Sequence, residues 1–199
     1  MHSPGSDGAR DRARPEGEGL RRWSEGFASG VSGDVAENAA TVYSGQDFSP
    51  RGEKGRYVLP TEFRKAVIES SGGKVLCLAK HERWKCLTAF GLSREHELNA
   101  QLLHEEERAI RLGRDFDADL RRIQLFGFKK ISFDDSGRFI VPEHLAGIAG
   151  LTGDVFFQGA GSFFTLWNPE ELYRMGEGWE SAQAACRALA DEAGRKRKG

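Results

Sequence analysis

Long apolar runs are missing from this chain: nowhere in its 199 residues do apolar side chains approach the roughly 20 in succession that a membrane helix needs. The opening, MHSPGSDGARDRARPEGEG, also lacks the apolar stretch that follows the charges of a secretory signal. Cysteine is scarce and odd in number, Cys77, Cys86 and Cys186, whereas a secreted disulfide framework normally uses an even set. These absences lead to the expectation of a cytoplasmic protein in a reducing compartment, with no membrane among its partners. An excess of one charge is lacking too. With 29 Lys and Arg against 30 Asp and Glu, the formal charge is -1. No global basic field draws nucleic acid to the chain, so any anion site must be local.

Signatures of catalysis and metal binding are equally sparse. SSGGK (70–74) and GAGS (159–162) are Gly-rich, but neither has the Walker spacing or the strand-to-helix setting of a phosphate cradle, and both read as turns. No Gly-x-Ser-x-Gly elbow occurs, and His2, His81, His96, His104 and His144 form no base constellation. Cys77, His81 and Cys86 lack the close paired spacing and the fourth ligand of a structural zinc site. They read instead as core and turn residues of a hairpin. The expectation is a protein that is not an enzyme and takes no metal, cofactor or small-molecule substrate.

Residues 1–40 are rich in Gly, Ser, Ala, Arg and Glu, with only isolated Leu20, Trp23 and Phe27. Too few apolar groups are available there to offset the entropy of ordering, which gives a disordered arm. Translation from a start codon assigned too early explains the segment equally well. From Thr41 the chain changes to short aliphatic and aromatic runs punctuated by Gly and Pro, the pattern of brief strands and turns.

GRYVLP reads as a strand closed by Pro60, which cannot donate to a ladder but can open the helix TEFRKAVIES, stopped by Gly72 and Gly73. KVLCLA and KCLTAF follow as two strands joined by KHERW. Ser93 is placed to cap a long helix with Leu98, Leu102, Ala109 and Leu112 on one face, and a second short helix reaches Gln124. Then the order recurs: GRFIVP, the helix EHLAGIAG, DVFFQ, a turn, and FFTLW. Asn168-Pro169-Glu170-Glu171 supplies a cap, a first-turn Pro and two carboxylates at the positive end of a further helix. SAQAACRALADEA reads as an amphipathic helix before the basic GRKRKG.

The repetition is specific. GEKGRYVLP (52–60) is echoed 82 positions later by DDSGRFIVP (134–142). Each copy is too small to bury a core alone, so the two are expected to pair as an intrachain pseudo-twofold dimer, which places an exposed Arg at each of two related loops. A Gly permits the tight turn, and an adjacent Arg can fork onto a phosphate or a guanine edge. The plainer reading is that both arginines only tie down their turns through Asp134 or nearby carboxylates.

The duplicated loop-strand-Pro-helix unit, preceded by YSG (43–45), resembles the MraZ family over residues 42–175. The family motif of Asp, two variable residues, Gly-Arg, strand and Pro is complete in the second copy, from Asp134 through Gly137 and Arg138 to Pro142. In the first copy Gly52 stands at the Asp position, so Glu53 or Asp47 is expected to take its role, or the loop to be less ordered.

The resemblance implies an α+β fold of two tandem swapped-hairpin, AbrB-like β modules forming an intrachain pseudo-dimeric barrel flanked by helices. The expected divisions are an arm 1–40, a first module 41–92, a helical connector 93–124, a second module 125–168, and a C-terminal helix with basic tail 169–199. It also implies a sequence-specific repressor of the division and cell-wall gene cluster. The expected partners are double-stranded promoter DNA, bound at short direct repeats, and the protein itself as a homo-oligomeric ring at the nucleoid.

Arg56 and Arg138 are the expected principal contacts, supported by Lys54 and by Arg51, Lys129 and Lys130 if these cluster with them. Gly55 and Gly137 shape the loops, and Asp134 orients Arg138. An AbrB-type antitoxin, or a ring-forming scaffold without specific DNA binding, is the alternative.

Overall fold

Two edge strands, one from each half of the chain, complete each other's sheet. The computed structural model describes residues 41–198; the expected arm at 1–40, and its reading as upstream translation, lie outside them. The first half runs β1 (Gln46–Ser49), a 3-10 turn (Glu53–Gly55), β2 (Arg56–Val58), α1 (Thr61–Ser71), β3 (Val75–Lys80) and β4 (Leu87–Phe90). Helices α2 (Arg94–Arg111) and α3 (Ala118–Phe126) connect it to β5 (Lys129–Ser132), β6 (Arg138–Ile140), α4 (Glu143–Ala149), β7 (Val155–Gly159) and β8 (Phe164–Trp167). Short α5 (Pro169–Tyr173) and long α6 (Glu180–Lys198) follow.

Six strands form one antiparallel sheet in the order β1-β7-β8-β4-β3-β5, and β2 pairs with β6 in a separate ribbon. Exchanging β1 for β5, β3 for β7 and β4 for β8 reverses this order into itself. The axis of that exchange passes between Thr88 and Thr165 in the sheet and between Tyr57 and Phe139 in the ribbon. β1 of the first half pairs with β7 of the second, and β5 of the second with β3 of the first. The expected pseudo-twofold pairing is thus present in an α+β fold. The ladder does not close into a barrel among the described residues, ending on β1 and β5.

The sheet is covered on both sides, which is why all four residues of β8 are buried. Adjacent positions of the β7–β8 hairpin point opposite ways. Phe157 and Leu166 enter the main core, while Phe156 and Trp167 enter a second cluster with Cys86, Leu172 and Cys186. In the main core the Phe63 ring lies 4.7 Å from that of Phe164 and 6.0 Å from that of Phe157. In the second, Trp84, Trp167 and Trp179 meet edge to face and tilted, with centroids 4.7 to 6.1 Å apart.

Local expectations fare unevenly. Helix α1 ends at Gly72, and Asn168 caps α5 by accepting from the Glu170 amide at 3.0 Å. Ser93 does not cap α2: its hydroxyl lies 2.6 Å from that of Ser70 and is held across the fold instead. Leu98, Leu102 and Ala109 are buried as their spacing predicts, but Leu112 is 52% exposed because α2 ends at Arg111 and the chain turns away. Cys77 in β3 and Cys86 just before β4 are both buried, in the main core and the second cluster respectively, and His81 Nδ1 accepts from the Arg83 and Trp84 amides, organising the hairpin turn. No described helix is long and apolar enough to cross a membrane.

Phe157 is completely buried between Phe63 and Phe164. Phe157→Ala is expected to lower stability by about 3–5 kcal/mol, a transfer loss plus a cavity. A denaturant titration checks this through a lower midpoint at unchanged slope.

Candidate nucleic-acid interface

The two-stranded ribbon has one face turned in and one turned out. Tyr57 and Phe139, directly opposed, are buried with ring centroids 6.0 Å apart. The Tyr57 hydroxyl donates to the Gly153 carbonyl at 2.9 Å, fastening the ribbon to the body. Period-2 alternation then sends Arg56, Val58, Arg138 and Ile140 outward together. Arg56 sits opposite Ile140 and Arg138 opposite Val58, so the two arginines are diagonal neighbours, a Cα separation of about 7–8 Å. Val58 and Ile140, 47% and 52% exposed, fill the other diagonal.

The loops leading into these strands share a backbone frame. The Gly52 amide donates to the Arg56 carbonyl at 2.8 Å, and the Asp134 amide to the Arg138 carbonyl at 3.1 Å. Gly137 has φ 79°, and a Cβ there would stand 2.9 Å from the Leu59 carbonyl oxygen, whose residue's amide donates to the Gly137 carbonyl. Only glycine serves at that crossing. The first loop holds two successive left-handed residues, Lys54 at φ 58° and Gly55 at φ 70°. A lysine in that region is uncommon and carries local strain.

Side chains separate the loops. Asp134 Oδ1 accepts from the Ser136 and Arg138 amides, each at 2.9 Å, and Oδ2 accepts from Arg138 Nε at 2.7 Å. One carboxylate therefore caps the turn and aims the guanidinium, leaving the forked Nη groups outward. The Arg138 amide, foremost, and then its guanidinium hold the Asp134 carboxyl below the usual carboxylate range. At Gly52 nothing replaces it. Among the described residues no ion pair holds the Arg56 side chain, and neither Glu53 nor Asp47 takes the expected role. Asp47 accepts from the next amide, Phe48, at 2.7 Å.

Different contacts hold the two loops from beneath. Arg51 donates through its amide to Asp154 Oδ1 at 2.8 Å and through Nη1 to the Thr152 carbonyl at 2.7 Å. At the place corresponding to Arg51 stands Phe133, whose amide donates to the Lys74 carbonyl at 3.3 Å, while the Lys74 side chain pairs with Asp135 and Arg64 of α1 donates to the Asp135 carbonyl at 3.3 Å. Asp154 precedes β7 as Lys74 precedes β3.

The structure thus brings Arg51, Lys54 and Arg56 to one loop and Arg138, Asp134 and Gly137 to the other, on one ribbon. Lys129 and Lys130 open β5, at its end away from the 134–137 turn, and Lys130 Nζ meets Glu95 Oε1 of α2 at 2.5 Å. Arg64 and Lys74 were not distinguishable in the sequence, since each is one of many charges on an exposed helix or strand end.

The exposed, pseudo-twofold ribbon of this α+β fold thus carries two diagonal guanidiniums, that of Arg138 held by a carboxylate. Three similar proteins share the name Transcriptional regulator MraZ. That of Rhodospirillum rubrum is 30% identical over 122 residues, 60% of this chain and 74% of the relative. That of Caulobacter vibrioides is 34% identical over 117 residues, covering 59% and 70%. That of Micrococcus luteus is 34% identical over 124 residues, covering 62% and 79%. The chain belongs to the MraZ family of transcriptional regulators. No family model matches it.

Because the Asp134 carboxyl is held low, the loop order it confers is present above the unfolded value near 3.9 and is lost as pH falls through the lower folded value. An NMR carboxyl titration is expected to place Asp134 below that range. Arg138→Ala is expected to raise it only part of the way, since the Ser136 and residue-138 amides still donate. A full return to the ordinary value would show that the guanidinium alone sets it.

Proposed function

We propose that this protein is a sequence-specific DNA-binding repressor of the division and cell-wall gene cluster, its own operon included. It grips short direct repeats of double-stranded promoter DNA as a homo-oligomeric ring, at the nucleoid in the cytoplasm. Its halves, 41–92 and 125–168, act as swapped-hairpin, AbrB-like modules of one pseudo-dimeric unit, joined by the connector 93–124 and followed by the basic segment 169–199. The crossed pairing of β1 and β5 supports that reading.

The observation that carries the DNA reading is the outward face of the ribbon, with Arg56 and Arg138 diagonal on it. Guanidinium forks suit phosphates and guanine edges, and exposed Val58 and Ile140 suit thymine methyl groups. A protomer of charge -1 binds through this local field. Outward Leu103, Ile110, Leu120 and Ile123 on α2 and α3 supply apolar surface for self-association. A ring then gains avidity when its spacing matches the repeats.

The difference between the loops supports a division of work between the two arginines. Arg138, pre-aimed by Asp134, reads a base; Arg56, without a carboxylate partner, grips phosphate, with Lys54 beside it.

The test is binding to DNA from upstream of its own gene and to a scrambled duplex, across a salt series. Arg138→Ala is expected to remove about 1–3 kcal/mol of discrimination between them. Arg56→Ala is expected to weaken both alike and to reduce the slope of log affinity on log salt by about 1. Equal, weak binding of both duplexes by the unaltered protein would leave a ring-forming scaffold.

A further inference from the structure

We propose that the basic end of α6, Arg195, Lys196 and Arg197, extends the first loop's surface and grips the phosphate backbone of duplex DNA beside it. This rests on the DNA-binding reading above. Its start is the way α6 is held. Trp179, just before the helix, packs at 4.7 Å from Trp84 and 5.1 Å from Trp167, and Cys186 is fully buried. Gln183 Nε2 donates to the Leu172 and Met175 carbonyls at 3.1 and 2.9 Å. So fixed, the helix runs along β1 toward the loop that follows it.

The last turn is tied to that loop. Asp154 Oδ1 accepts from the Arg51 amide at 2.8 Å and from Arg197 Nη2 at 3.4 Å, so one carboxylate holds both the loop and the helix end. Arg197 then lines an open groove with Arg51, Glu53 and Arg64. Lys196 pairs with Glu192 inside the helix at 2.8 Å while its side chain stays 76% exposed. Arg195 is exposed.

In the groove Arg51, Arg64 and Arg197 outnumber the carboxylates Asp47 and Glu53, and Arg195 and Lys196 are exposed next to Arg197 on the helix end. An excess of exposed cations on a fixed surface selects an extended polyanion, and it lies where the loop lacks the carboxylate that aims its counterpart. Such contacts carry position rather than sequence.

The experiment compares the full chain with a variant carrying Arg195→Ala, Lys196→Ala and Arg197→Ala, on the upstream and scrambled duplexes across a salt series. The variant is expected to bind both duplexes at least about tenfold more weakly. Its salt slope should be shallower by about 2–3, at about 0.9 for each phosphate no longer neutralised, with the ratio between the duplexes unchanged. Arg195→Lys with Arg197→Lys is expected to keep affinity and slope. Should the triple variant lose its helical circular dichroism, Lys196→Gln, away from the Asp154 carboxylate, must still lower the slope by about 1.

Unchanged affinity and slope in a folded triple variant, with discrimination still lost in Arg138→Ala, would overturn this inference and leave the DNA reading standing. An unaltered protein that binds neither duplex in a salt-dependent way would overturn both.

Discussion

Neither half of this chain can finish its own sheet. The β3–β4 hairpin has its outer edge satisfied by β5, and the β7–β8 hairpin by β1. A three-residue ribbon strand likewise finds its partner only in the other half. Unpaired backbone groups in a buried sheet are costly, so exchange between halves is the condition under which either half is stable. Everything else follows from it. The β4–β8 seam puts the axis through the middle of the sheet, and the same axis sets Tyr57 against Phe139 beneath the outward arginines.

A symmetric frame then carries asymmetric chemistry. The two loops close with the same backbone bond, so the position of each Arg is set by the fold, whatever residue stands before it. What the preceding residue decides is aim. Asp134 commits both oxygens to its own turn and to Arg138, whereas Gly52 has no side chain with which to do so. Below, the Asp154 carboxylate accepts from the Arg51 amide, whereas at the corresponding crossing the Lys74 carbonyl accepts from the Phe133 amide.

The second hydrophobic cluster extends this asymmetry. Trp84 from the first hairpin, Trp167 from the second and Trp179 from the C-terminal segment pack together, binding α5 and α6 to the face of the sheet opposite the main core. Two helices follow each hairpin, α2 and α3 after β4 and α5 and α6 after β8, and it is α6 whose end is tied beside the first loop through Arg197 and Asp154. Burial of large aromatic surface at the start of α6 is what makes the place of its distant, charged end definite.

Much of this was legible in the sequence. The spacing of Gly-Arg, aromatic, aliphatic and Pro in GRYVLP and GRFIVP marked the duplication, with its turn glycines and its arginines. Gly72 after TEFRKAVIES and Asn168 before PEEL marked helix ends. Such signals are local, carried by residues within one turn of one another. β1 and β5 were not legible: QDFS and KKIS have no apolar alternation, and they are strands because a partner edge from the other half accepts them. Ser93 looked like a cap and became a cross-fold bond to Ser70, since a hydroxyl goes to whichever acceptor packing brings nearest. Arg138 and the Asp134 before it could be named from their motif, four residues apart. That Arg197 meets Asp154 beside the first loop depends on residues far apart in the chain. Which edges pair and which charges meet was left to the packed fold, because both are fixed by burying two incomplete cores against each other.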